Sequence, residues 1–494
     1  MIQEHAALLA RTSQSWIGGK EWSQCDADIA HLNPANGQSL GASQCLGAEG
    51  VDAAVSSARR AFQGEWGRQA PGWRTARLLA FADLVARNVD DLALLESLEV
   101  GRPLGDARAL VAQAPEFIRR YARMAEVCQG DVTAAQSRLL TLSWRRPRGV
   151  VAAIVPWNFP VMAAIVRIAP ALAAGNAVVL KPSENAPRAP RLLASLATEA
   201  GLPDGVFNVT LGDGATTGRL LAEHHDIDLV SFTGSTAAGL AVSRSAVTVR
   251  AKPVILECGG KSPQIMLDDA FDDPAVWQGV FFSAFWNTGQ WCAARTRLLV
   301  PRSRLAEAIE GLEKAAASWP LGDPLAPATR LGPLVNATQR ERVLEYFEVA
   351  RGEGRLQELG CPSDSLDPAG QFVRPALVIE PSRGGRITRE EVFGPLLTVE
   401  TFTSVDDALA QANASDYGLM ASVWTSRSAD AYRLARELEV GCVAVYSSAE
   451  AAFSSMQDFV NSYLEPQKRS GHGVDGGLPG LLAYTTAQSV SLFN

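Results

Sequence analysis

Gly149-Val150-Val151-Ala152-Ala153-Ile154-Val155-Pro156-Trp157-Asn158-Phe159-Pro160-Val161-Met162-Ala163-Ala164-Ile165-Val166 is the most membrane-like stretch of the chain, and its punctuation decides how it folds. An unbroken apolar run of about this length would read as a membrane span. Pro156, Asn158 and Pro160 divide it instead, and Arg167 closes it. The reading is a buried strand over Val150–Val155, a turn stiffened by two prolines, and a helix over 161–174.

That strand-then-helix unit recurs downstream. Ala177–Leu180 precedes a helical stretch at 188–200, Phe207–Leu211 one at 215–224, and Leu229–Phe232 one at 236–246, before a last strand at Pro253–Leu256. Strict alternation predicts an α/β fold with a doubly wound parallel sheet, whose ligand crevice lies at the carboxyl ends of the strands. The turns at those ends are Pro156-Trp157-Asn158-Phe159-Pro160, Lys181-Pro182-Ser183-Glu184, Gly212-Asp213-Gly214, Thr233-Gly234-Ser235-Thr236 and Glu257-Cys258-Gly259-Gly260. Residues 51–126 carry helical spacing and are expected to cover the sheet. Leu140-Thr141-Leu142-Ser143-Trp144 alternates between arginines, as does a half-exposed ribbon that pairs between subunits. A second alternating region runs from Gln264 past 440, with strands expected at Leu298–Val300 and Leu397–Val399. Gly352–Gly370 reads as loop, and Lys468–Gly480 as a return loop before a final strand over Ala483–Phe493.

A chain of 494 residues is long enough for two or three domains, and 47% hydrophobic with 20% charged residues is ordinary globular composition. A net charge of −8 lacks the positive footprint that nucleic acid requires. The seven cysteines are scattered, with no CxxC pair, so neither a disulfide framework nor a metal site is expected. A reduced, cytoplasmic setting without a secretory signal or membrane span is the expectation.

Two residues carry the chemistry. Cys292 ends Phe285-Trp286-Asn287-Thr288-Gly289-Gln290-Trp291-Cys292, and Glu257 closes an apolar strand upstream. A thiol and a carboxylate brought together by the fold suit covalent attack on an electrophilic carbon, the acid moving protons. At its ordinary pKa near 8.5 the thiol needs that partner, because only a few per cent is thiolate at neutral pH. Asn158 is placed to donate its amide to a developing oxyanion together with the Cys292 backbone N–H. Lys181 and Glu184 share a turn suited to a ribose, where a carboxylate welcomes a 2′-hydroxyl and repels a 2′-phosphate. Gly234 and Ser235 open a helix whose free N–H groups suit a pyrophosphate, and Gly214 shapes the neighbouring turn.

Six motifs in order resemble the NAD(P)-dependent aldehyde dehydrogenase superfamily of the hydrolytic type. They are Pro156–Pro160, Lys181–Glu184, Phe232–Thr236, Glu257-Cys258-Gly259-Gly260-Lys261-Ser262-Pro263, Gly289–Cys292 and Glu390-Glu391-Val392-Phe393-Gly394-Pro395. The resemblance implies a dinucleotide-binding domain over 1–124 and 149–256, a catalytic domain over 257–445, and an oligomerisation ribbon with a tail bordering the substrate tunnel from 125–148 and 446–494. It implies a homodimer or homotetramer and a small-molecule aldehyde as the partner. NAD is the expected cofactor, with NADP possible. Cys292, Glu257 and Asn158 match the catalytic positions. Trp157, Lys181, Ser183, Glu184, Gly214, Phe232, Gly234, Ser235, Cys258, Gly259, Glu391 and Phe393 fall on the cofactor side, with Glu391 and Phe393 at the nicotinamide ribose and ring.

Phe159, Val166, Trp286, Trp291 and Phe453 are the expected tunnel residues, which suit an aromatic or medium-chain aliphatic aldehyde. Trp286 also resembles the aminoaldehyde and betaine-aldehyde branch, whereas Val166 stands where that branch carries Trp. Glu257 favours hydrolysis over transfer to coenzyme A. Lys261, Arg295 and Arg297 are expected to be structural or surface charges. Three departures stand out: Cys258 replaces the usual Leu and is a candidate disulfide partner for Cys292, Leu464-Glu465-Pro466-Gln467 replaces Pro-Phe-Gly-Gly, and 446–463 is atypical.

Overall fold

The computed structural model describes residues 5–127, 130–136, 138–363, 366–448 and 463–493. Its first sheet contains β1 (Val150–Ile154), β2 (Ala177–Lys181), β3 (Phe207–Val209), β4 (Leu229–Thr233) and β5 (Val254–Glu257). Helices α1 (Pro160–Ala173), α2 (Arg188–Glu199) and α3 (Thr236–Val249) follow β1, β2 and β4. Every residue of β1 and β2 is buried, as in strands covered on both faces, which is why they read as continuous apolar runs. The parallel order is β3-β2-β1-β4-β5, so strand order reverses between β1 and β4 and opens the crevice there.

Both edges of this sheet are closed by antiparallel additions from distant chain segments. Trp16–Ile17 pairs with β3, and Gly471–His472 pairs with β5. The expected return loop at Lys468–Gly480 is therefore partly strand, and Gly477–Ala483 is a short helix, so the final strand starts at Thr485. Glycine hid this pairing: Gly471 has φ +122, and a Cβ there would stand 2.2 Å from the Leu256 carbonyl oxygen.

The second sheet holds β6 (Pro263–Met266), β7 (Arg297–Pro301), β8 (Arg355–Glu358), β9 (Ala376–Ile379), β10 (Leu396–Phe402), β11 (Met420–Trp424) and β12 (Cys442–Tyr446). Its order is β8-β9-β10-β7-β6-β11-β12, parallel except for β8 against β9. β8 lies within the stretch expected to be loop. It is a polar, half-exposed edge strand, so no apolar run announces it. A third, antiparallel sheet joins Asp131–Gln136, Leu139–Pro147 and Thr485–Phe493, with Trp144, Leu492 and Phe493 exposed.

Helices at Ala48–Ala61, Pro71–Arg87, Val89–Val100, Leu104–Val111 and Ala114–Met124 make the expected cover. The third of these stops at Gly101, whose φ of +81 is the left-handed cap that glycine adopts most cheaply. Two carboxylates on its inner face then reach the sheet's helices: Glu96 accepts from the Val161 N–H of α1 at 3.0 Å, and Glu99 from the Arg188 N–H of α2 at 3.2 Å. Each thereby satisfies an otherwise orphaned donor at a helix start. Among the described residues, no helix is long and apolar enough to cross a membrane.

Candidate active site

The carboxyl ends of β1, β4 and β5 face the two loops that precede β7 and β10. The first loop carries Trp286–Thr296 and the second Glu390–Pro395. Cys292 and Glu257 meet across this junction, the thiol donating to Oε1 at 3.2 Å. Asn158 is buried beside them, and its Nδ2 donates to the Gln290 carbonyl oxygen at 3.1 Å. Gln290 ties the loop together, donating to the Asn287 carbonyl at 3.1 Å and accepting from the Val335 N–H at 3.0 Å.

The thiol loop turns sharply to present Cys292. Asn287 and Thr288 adopt φ of +52 and +56, and Gly289 follows at +71, where a Cβ would lie 2.3 Å from the Gly394 carbonyl oxygen. Left-handed backbone at a non-glycine residue costs on the order of 1–3 kcal/mol, so surrounding contacts must hold it. Thr288 Oγ1 donates to the Gly332 carbonyl at 2.8 Å, and Arg102 Nε donates to Asn287 Oδ1 at 3.2 Å. The same guanidinium binds the Asn158 carbonyl oxygen and pairs with Glu96 at 2.5 Å. Arg102 thus joins the turn after β1 to the thiol loop.

Electrostatics set the resting protonation. Loss of solvent, and then the facing Glu257 carboxylate, push the Cys292 thiol well above its ordinary range, so the neutral thiol donates to the carboxylate. Burial also raises Glu257, while Arg167 Nη2 at 3.2 Å opposes that rise. Arg167 is itself buried, pairs with Asp475 at 2.5 Å, and donates to Thr233 Oγ1 at 2.6 Å. Arg102, Glu96, Arg167 and Asp475 were not among the residues singled out from sequence. Arg167 merely ended an apolar run, and nothing local marks Asp475, 308 residues away, as its partner.

An aromatic wall adjoins the thiol. Phe159 and Trp286 have ring centroids 5.6 Å apart, and Trp286 and Trp291 lie edge to face at 5.4 Å. Val166 packs in the same buried cluster. The Arg102 guanidinium sits over Phe159 at 4.8 Å and Trp286 at 5.4 Å. Phe453 lies outside the described residues. Lys261, Arg295 and Arg297 are all buried, so none is a surface charge. Arg297 makes a two-pronged pair with Glu400 at 2.9 Å on the β7–β10 pairing.

The sequence profile of the Aldehyde dehydrogenase family matches residues 22–490. The chain belongs to that family. This aldehyde dehydrogenase is 38% identical over 461 residues to aminoacetaldehyde dehydrogenase of Pseudomonas aeruginosa, covering 92% of each chain. It is also 38% identical over 450 residues to the NADP/NAD-dependent aldehyde dehydrogenase PuuC of Escherichia coli, covering 89% of this chain and 87% of that one. Among solved structures, indole-3-acetaldehyde dehydrogenase in complex with NAD+ superposes with a TM-score of 0.93 at 36% identity, covering 100% of this chain and 99% of that one.

The dehydrogenase's crevice fits a dinucleotide on its own geometry. Ser235 Oγ caps α3 by accepting from the Ala238 N–H at 3.2 Å, and the first turn of that helix is partly exposed at the switch of strand order. Lys181 is buried rather than a surface lysine, with Nζ 3.3 Å from Glu184 Oε2, and Glu184 reaches towards solvent. Ser183 Oγ accepts from the Asn185 N–H, Gly214 faces open space, and the Phe232 ring lies under Gly234. Glu391 Oε1 accepts from the Gly260 N–H at 3.0 Å, and a Cβ on Gly259 would stand 2.1 Å from Glu391 Oε2. Phe393, at φ +58, meets Trp157 edge to face at 5.5 Å.

Cys258 is buried just past the end of β5. Its sulfur faces Gly239 and the Phe232 ring in an apolar cluster, because adjacent side chains at a strand end leave opposite faces and Glu257 takes the other. Both Cys258 and Cys292 are free, and burial pushes the Cys258 thiol up to about 12.

Proposed function

We propose that this aldehyde dehydrogenase oxidises an aldehyde of aromatic or medium-chain aliphatic body to the carboxylic acid, through an acyl intermediate on Cys292 that water hydrolyses. The 3.2 Å contact between the Cys292 thiol and Glu257 carries the reading. The sulfur attacks the aldehyde carbon while its proton passes to Glu257, and the carbonyl π pair moves onto oxygen. That oxyanion is held by the Cys292 N–H and by the second N–H of the Asn158 amide, the first being committed to Gln290. The dinucleotide, when bound, supplies the hydride acceptor that turns the sulfur-bound carbon into a thioester. Glu257 releases that first proton to solvent and, again a carboxylate, takes one from water as the hydroxyl adds to the thioester; the C–S bond breaks, and Glu257 returns the proton to Sγ.

Lys181 and Glu184 would hold the adenosine ribose, Gly234 and Ser235 the pyrophosphate, Glu391 the nicotinamide ribose, and Trp157 with Phe393 the ring. Glu184 and nearby Asp213 both disfavour a 2′-phosphate, which supports NAD over NADP. One face each of Phe159 and Trp286 already carries the Arg102 guanidinium, which favours an uncharged substrate body over an ammonium. A second reading, an aminoaldehyde substrate, draws on the name of the Pseudomonas aeruginosa relative. Free thiols among the described residues suit a cytoplasmic setting. The protruding antiparallel sheet suits a homodimer or homotetramer.

The test is an aldehyde panel containing benzaldehyde, hexanal and 3-aminopropanal, read as NADH or NADPH formation for the native chain and Cys292→Ala. The expectation is NADH with the first two and none from the variant. Undiminished turnover by Cys292→Ala would falsify the covalent route, and preference for 3-aminopropanal would select the second reading.

A further inference from the structure

Most buried arginines in this protein keep to a pattern, and Arg295 departs from it. Arg102 pairs with Glu96, Arg167 with Asp475 and Glu257, Arg188 with Glu99, Arg191 with Glu21, and Arg297 with Glu400. Arg295 is as deeply buried, at 3% exposure, yet among the described residues it forms no ion pair. Its polar side-chain contact is the Tyr446 hydroxyl, 3.4 Å from Nη2, and its Nε has no partner. The guanidinium lies 5.4 Å from the Trp291 ring, whose own indole N–H is also buried and unpartnered. Burying an ion without a counter-charge is among the costliest arrangements in a protein, and orphaned donors beside it add to that cost.

We infer that Arg295, with the Trp291 indole N–H and the Tyr446 hydroxyl, receives a carboxylate carried by the aldehyde substrate at the end remote from the reacting carbon. The inference rests on the covalent role of Cys292. Arg295 lies three positions after Cys292, so the backbone between them spans at most about 10 Å, within the compass of a small bifunctional molecule. The guanidinium fork matches a planar carboxylate in two parallel hydrogen bonds, and the Trp291 indole edge supplies a further donor. The substrate class is then an aldehyde bearing a carboxylate across an aromatic ring or short chain. The apolar wall of Phe159, Trp286 and Trp291 would hold the body between its two polar ends.

The experiment compares 4-carboxybenzaldehyde with 4-methylbenzaldehyde, which share a ring and differ in charge. The native enzyme is expected to show the lower KM for the carboxylate. Arg295→Met is expected to reduce the ratio of their kcat/KM values by about 10-fold to 100-fold, the worth of hydrogen bonds to a charged group, and Arg295→Lys by less. An equal or higher native KM for 4-carboxybenzaldehyde overturns the inference without any variant. A ratio unmoved in Arg295→Met also overturns it, and means that the charge is balanced within the chain. Absence of NADH from both aldehydes would instead count against the proposed dehydrogenase reading, which the 4-methylbenzaldehyde arm reports separately.

Discussion

Asn158 is the residue whose surroundings fix its expected cost most directly. Its side chain is buried, its carbonyl is held by Arg102 and one of its amide hydrogens by Gln290. Removing one oxyanion donor typically costs about 2.7–4 kcal/mol of transition-state stabilisation, so Asn158→Ala should lower kcat by about 100-fold to 1000-fold. Steady-state kinetics should show the aldehyde KM moving far less, because the donor acts on charge that develops after binding. Glu391 makes a pH-dependent statement. Desolvation in the cleft pushes its carboxyl from 4.5 up to about 7. Between those values the folded chain binds the proton and the unfolded chain does not. Its contribution to stability is therefore complete below the lower value and lost as pH rises through the upper one. Glu391→Gln keeps an acceptor for the Gly260 N–H without the buried charge. Thermal melting of the cofactor-free protein should show the variant gaining on the native chain at pH 8, with the gain vanishing by pH 5.

At the scale of elements, helix Val89–Val100 acts as a clamp, setting Glu96 against α1 and Glu99 against α2 while Gly101 releases the chain so that Arg102 can turn inward. Breaking a buried pair by removing one partner costs about 3–5 kcal/mol. Arg102→Met should lose stability of that order in denaturant unfolding, and Arg102→Met with Glu96→Gln should regain part of it. Which elements were legible in sequence follows from burial. β1 and β2 are buried on both faces, and the apolar runs that result betray them, as they do β7 and β10. β8 has no such face, and Gly471–His472 is two residues of glycine and histidine. The meeting of Cys292 with Glu257 was legible because two local motifs carry the residues. Arg102, Arg167 and Arg295 were not, since an arginine reads as solvated until the fold shows what encloses it.

For the whole molecule, the edge of β12 and the outstanding sheet of Asp131–Gln136, Leu139–Pro147 and Thr485–Phe493 are the places where a partner copy would be sought. Trp144 and Val132 are exposed on that sheet at 44% and 65%. Sedimentation velocity should show the native chain as a dimer or tetramer, and Trp144→Asp with Val132→Asp should shift it to a smaller species. The reactive pair has its own dependence on distant chain. The Cys258 N–H donates to the Ser470 carbonyl at 2.8 Å, Gly471–His472 zips along β5, and Asp475 balances the arginine behind Glu257. A nascent polypeptide still short of residue 470 has made its thiol and its base but not the seam that seats them. Synthesis proceeds from the N-terminus, so this seam is among the last contacts the chain can make, long after the thiol and the base have been joined to it.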